Sequence, residues 1–112
     1  MANARMEFEE FQQLAPGATA ALRTLSKTVS DLGLEKALTE LIKIMASQLN
    51  GCAFCLQFHL NDARRFGVLQ TKLDLVAVWR DAGIFDARET AALEWTEVLT
   101  QVTPAGVGDD AY

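Results

Sequence analysis

Both cysteines and the only histidine of the chain fall within eight residues, Cys52-Ala-Phe-Cys55-Leu-Gln-Phe-His59. Random placement rarely does this. On a helix the three occupy i, i+3 and i+7 and share one face. An i, i+3 pair has Cα atoms about 5 Å apart, inside the window of about 4.4–6.8 Å that a disulfide accepts. The pair can therefore cycle between dithiol and disulfide with little backbone movement. Two groups could activate a thiol here. Unpaired N–H groups at a helix N-terminus stabilise a nearby thiolate, which points to Cys52. The imidazole of His59, one turn after Cys55, can exchange a proton with that sulfur instead. Spacing alone leaves both open. Glu40 is the candidate third member, an acid flanked by Leu38, Leu41 and Ile42. From there a carboxylate can orient the imidazole or receive its proton.

The elements that must position these residues are helices. Gly33, Gly51, Gly67 and Gly83 punctuate a stretch bracketed by the only two prolines, Pro16 and Pro104. Apolar residues between them recur at helical spacing: Leu38, Leu41, Ile42, Met45 and Leu49 make one stripe. Ala18, Leu22, Leu25, Val29 and Leu32 make another upstream, and Ala92, Trp95, Leu99 and Val102 a further one downstream. No segment shows sustained period-2 alternation. The spacing predicts an all-α chain with five helices, near 17–31, 35–49, 52–66, 69–82 and 86–101, and a loop at the end. Asn50-Gly51 is a helix stop and start signal, which folds the second helix back on the third and carries Glu40 over the cysteine–histidine face. Asp86, three residues before Glu89, resembles a capping box.

Composition excludes several classes. The chain has 112 residues, enough for one domain, and half of them are hydrophobic. Ten Lys and Arg against 15 Asp and Glu leave no basic patch for nucleic acid. No apolar run reaches the ~18–20 residues of a membrane span, and the acidic N-terminal stretch does not read as a secretory signal. Two cysteines are too few for a disulfide-stapled secreted scaffold, so a cytoplasmic protein is expected, and at this size an oligomer. A zinc site built from two thiolates, an imidazole and a carboxylate is the rival chemistry, but i, i+3, i+7 on one helix sets three ligands along a line. Leu56 stands where a c-type haem motif needs histidine. Phe54 and Phe58 are expected as core or pocket walls, and Trp79, Arg80, Glu94 and Trp95 as packing or subunit-contact residues.

Glu40, eleven residues, Cys52, two residues, Cys55, three residues, His59 resembles the active-site pattern of the AhpD-like alkylhydroperoxidases of the carboxymuconolactone decarboxylase superfamily. Ser47-Gln48-Leu49-Asn50-Gly51-Cys52-Ala53-Phe54-Cys55 is similar to the family's core signature, and Trp79-Arg80 with Glu89 to Glu97 to its downstream segment. The resemblance implies a single AhpD-like helical domain over residues 1–112 and a homo-oligomer, a trimer or hexamer. It implies a peroxidase in which Cys55 is the peroxidatic thiol, Cys52 the resolving thiol, and Glu40 and His59 the proton relay. No bound cofactor and no metal are expected, and the resemblance implies electrons from an external lipoyl or thioredoxin-like dithiol donor. Two departures stand out. Better-studied members carry a further histidine between the cysteines, where this chain has Phe54, and relatives continue past the position of Tyr112 with more helical sequence. The alternative is a non-enzymatic redox sensor or a zinc-stabilised interaction domain.

Overall fold

A computed structural model describes residues 6–104 and 106–112. Every regular element among them is helical. In order these are α1 (Phe8–Leu14), α2 (Pro16–Asp31), α3 (Lys36–Asn50), α4 (Ala53–Arg65), α5 (Gln70–Leu75), a 3-10 turn (Val76–Val78), α6 (Trp79–Ala82) and α7 (Ala87–Thr100). The expected all-α class is what the chain adopts. Contacts divide it into two compact units, one up to Leu34 and one from Glu35 onward. No helix among the described residues is long and apolar enough to cross a membrane.

In the second unit α3 is central and packs chiefly against α4 and α7. Coverage from two sides widens its buried face beyond the single stripe that apolar spacing predicts. Leu38, Leu41 and Met45 are buried as expected, and so are Glu40, Ile44 and Ser47, which run along a second line at i, i+4 and i+7. Leu41, Ile44, Met45, Ala63, Leu73, Val76, Trp79 and Leu93 form one continuous core. Gly51 ends α3 at φ 68°, a left-handed conformation that glycine reaches without the steric penalty of a side chain.

Three expectations about helices change. The predicted helix over 69–82 is interrupted by the 3-10 turn at Val76–Val78. Its buried residues, Leu73, Val76 and Trp79, are spaced by three, which matches the three residues per turn of a 3-10 helix better than the 3.6 of an α-helix. In α7 the inward residues are Leu93 and Thr96, while Leu99 and Val102 of the expected stripe are exposed. Polar side chains explain the shift. Glu89 takes both carboxylate contacts from Lys72 at 2.8 and 2.7 Å, and Glu97 receives Arg80 and the Trp79 indole N–H. A face lined by paired carboxylates does not register as apolar. Finally, α1 was not expected; it is seven residues long and buries none of them.

The first unit holds α1 and α2. Helix α2 forms where the apolar spacing places it, yet Leu22, Leu25, Val29 and Leu32 of its stripe are exposed, Leu25 by 60 % and Leu32 by 80 %.

Candidate active site

The site is built by the turn between α3 and α4. The left-handed Gly51 reverses the chain within one residue, and Cys52 becomes the N-cap of α4. Expectation placed Cys52 in the first helical turn; the structure sets it one step earlier, with extended backbone. Its Sγ accepts the backbone N–H of Cys55 at 3.2 Å, the bond a capping oxygen usually takes. Cys52 and Cys55 are joined as a disulfide with Cα atoms 5.3 Å apart, in the range the i, i+3 spacing predicts. Both cysteines are half-buried.

His59 lies one turn beyond Cys55 on α4, with its side chain 21 % exposed. Glu40, on α3, is only 4 % exposed. The hairpin brings them together: His59 Nδ1 and Glu40 Oε2 are 2.8 Å apart. An ionised carboxylate can only accept, so Nδ1 carries the proton of this bond and Nε2 is left as the basic atom of the neutral ring. The second Glu40 oxygen faces Lys43 Nζ at 3.5 Å, one turn along α3. A buried carboxylate needs such partners, since an unpaired one is strongly disfavoured.

All four residues named from the sequence therefore sit along the α3–α4 hairpin, Glu40 against His59 and Cys52 against Cys55. A fifth escaped notice. Asp62, 19 % exposed, offers a carboxylate oxygen that lies with a Glu40 oxygen and a His59 ring nitrogen inside a mutual distance of 4.8 Å. Its signal was present: it stands at i+3 from His59 and i+7 from Cys55, on the same helical face. The expectation for Phe54 and Phe58 needs correction. They are exposed, Phe54 by 79 %, and pair with ring centroids 6.3 Å apart on the outer face of α4. Position i+2 from Cys52 turns Phe54 away from the core that Leu56, Leu60 and Ala63 reach.

Trp79 is part of the core, consistent with a packing role. Its ring also carries the Arg80 guanidinium 4.3 Å above the centroid. Trp95 is half-buried and meets Tyr112 edge to face.

Comparison with known proteins identifies the family. Residues 16–98 match the model of the carboxymuconolactone decarboxylase family. The chain is 31 % identical over 102 residues to the uncharacterised protein YdfG of Bacillus subtilis, covering 91 % of this chain and 69 % of that one. It is also similar to the crystal structure of a protein of unknown function from Agrobacterium tumefaciens, provisionally assigned to AhpD antioxidant defence. That match has a TM-score of 0.85 and 33 % identity, over 97 % of this chain and 73 % of the other. With nearly three-quarters of its length inside the family model and its helices superposing on an AhpD-like fold, the chain belongs to the carboxymuconolactone decarboxylase family, on its AhpD-like side.

Proposed function

We propose that the protein is a thiol peroxidase of the alkylhydroperoxidase type, working through the Cys52–Cys55 pair. The observation that carries the reading is the buried Glu40 carboxylate bonded at 2.8 Å to His59, one helical turn from Cys55. A structural cysteine pair has no need of an oriented base beside it.

In the reduced state the basic ring nitrogen of His59 takes the Cys55 thiol proton, directly or through water, and Glu40 holds the resulting imidazolium. The Cys55 thiolate attacks the distal oxygen of a hydroperoxide. The O–O bond breaks, the electron pair leaves on the alkoxide, and the imidazolium proton makes it an alcohol. Cys55 is then a sulfenic acid. Cys52 attacks its sulfur, hydroxide leaves and is protonated to water, and the disulfide forms. The backbone N–H donated to Cys52 Sγ suits both directions of this exchange. It stabilises Cys52 as the attacking thiolate, and also as the leaving thiolate when a dithiol donor attacks Cys55 Sγ. The donor's second thiol then closes the donor's own disulfide and releases Cys55. A lipoyl or thioredoxin-like donor has this chemistry, and no tightly bound cofactor is needed.

The reading includes a cytoplasmic homo-oligomer, a trimer or hexamer. Its support is the exposed leucine and valine stripe on α2, an apolar surface that water does not favour.

The test is peroxide-dependent oxidation of dithiothreitol or dihydrolipoamide by the purified protein. Turnover lost in Cys55→Ser, with sulfenic acid accumulating in Cys52→Ser, is the expected result. Turnover that survives both single replacements removes the dithiol cycle. Stoichiometric zinc without turnover favours a zinc-stabilised module, and reversible disulfide formation without turnover a redox sensor.

A further inference from the structure

Helix α4 carries a second carboxylate on the face that bears His59. Asp62 follows His59 by three residues, and its carboxylate lies within 4.8 Å of both a His59 ring nitrogen and the Glu40 carboxylate. All three side chains are largely withdrawn from water, at 5, 21 and 19 % exposure for Glu40, His59 and Asp62. One imidazole between two acids is a donor set that suits a divalent metal or a proton, and the surrounding charges separate these.

Each carboxylate already has its own cation. Lys43 faces Glu40, and Arg65 pairs with Asp62 one turn along α4. Charged groups of the other elements packed nearby are engaged elsewhere: Glu89 with Lys72, Glu97 with Arg80, and Arg88 with Glu35. Two carboxylates and two cations balance around the ring. A divalent ion adds two positive charges to that balance in a largely buried place, while protonation adds one, delocalised over a ring that has both carboxylates within 4.8 Å. The Arg65 side chain is 70 % exposed, so solvent screens its opposing effect more than that of Asp62.

We propose that Asp62 is a positioning residue for His59, a second anion that holds the imidazole in its protonated form during the cycle. In the step concerned the Cys55 S–H bond breaks and an N–H bond forms on His59. Asp62 takes no proton itself; it stabilises the imidazolium so created, beside Glu40. This role rests on the relay proposed above, and Arg65 is its counterweight: the same guanidinium that fixes Asp62 in place attenuates its field.

Because His59 is the only histidine, the ring nitrogens of the ¹⁵N-labelled reduced protein give one unobstructed NMR signature of its protonation. At fixed pH near neutrality, Asp62→Asn should lower the ratio of imidazolium to imidazole by about 3–10-fold, the effect of one nearby charge at partial burial. Asp62→Glu should restore most of it. Arg65→Ala, at a position 70 % exposed, should move the ratio the opposite way by about 2-fold. Alkylation of Cys55 by iodoacetamide, followed against pH in the Cys52→Ser background, should follow these ratios. An imidazole signature that ignores both Asp62→Asn and Arg65→Ala overturns the proposal. Stoichiometric binding of Zn²⁺ or Co²⁺ lost in Asp62→Asn does so too, and makes the cluster a metal centre. The two levels of inference separate cleanly. No peroxide turnover with a responsive imidazole sinks the peroxidase reading and keeps the role of Asp62 in holding the ring. Turnover with an unresponsive imidazole does the reverse.

Discussion

Helices α2 and α3 carry equally clear apolar stripes, and they meet opposite fates. Along α3, Leu38, Leu41 and Met45 are buried against α4, α7 and the 3-10 turn, with Ile44 beside them. Along α2, Leu22, Leu25, Val29 and Leu32 are open to solvent, and the only buried residue is Thr19. Periodicity states that a face requires cover; it does not name the cover. The unit from Glu35 onward supplies its own, chiefly from α4, α7 and the 3-10 turn packed around α3. Among the described residues the unit up to Leu34 holds two helices, and a pair of helices of this length is marginal without a further apolar surface to pack on.

The contrast can be broken at several places. The largest effect should come from the second unit's core. Leu93→Ala removes a fully buried side chain and should cost about 2–5 kcal/mol, read by urea denaturation. If that cost falls below about 1 kcal/mol, the core of this unit does not lie where the helices place it. Next is the one buried carboxylate of α3. Glu40→Gln keeps the volume and removes the charge from His59, so peroxide turnover should fall about 100-fold or more, with melting temperature changed far less. Equal losses in both measurements would mean that Glu40 serves packing rather than proton transfer. In the first unit, Leu25→Gln should leave the far-UV spectrum intact while lowering the assembled mass seen by light scattering. A monomer in both forms breaks the expectation of a homo-oligomer.

The smallest effect lies at the capping box that opens α7. The Glu89 backbone N–H donated to Asp86 holds that carboxyl below its ordinary value of 3.8. A carboxyl depressed in the folded state contributes stability above its unfolded value and loses it as pH falls through the folded one. Asp86→Ala should therefore lower the melting temperature slightly at neutral pH, and the difference from the parent should shrink below about pH 3.8. A gap that persists in stronger acid assigns the effect to something other than the ionised cap.

Much of this was legible beforehand because local rules act locally. The helix boundaries near Gly51 and Asp86 follow from a left-handed glycine and a reciprocal side-chain cap, and both are present. The disulfide follows from two cysteines one turn apart. The miss in α7 has a different origin: Thr96 bonds back to the Ala92 carbonyl, and Glu89 and Glu97 find cationic partners from α5 and α6. Those partners are 17 residues distant in sequence, so no window of one or two turns contains them. Asp62 escaped for a similar reason. Its spacing from His59 was visible, but an acid on a helix is usually solvated, and only the α3–α4 packing withdraws it beside the ring.

Helix class, the turn at Asn50-Gly51 and the pairing of Cys52 with Cys55 were set by the chain itself, because each depends on dihedral preferences and contacts within one or two turns. The approach of Glu40 to His59, 19 residues apart, the 3-10 break at Val76 and the inward face of α7 were decided by tertiary packing. These depend on which side of a helix meets a neighbour, and a carboxylate becomes part of a site only when a second helix excludes water from it.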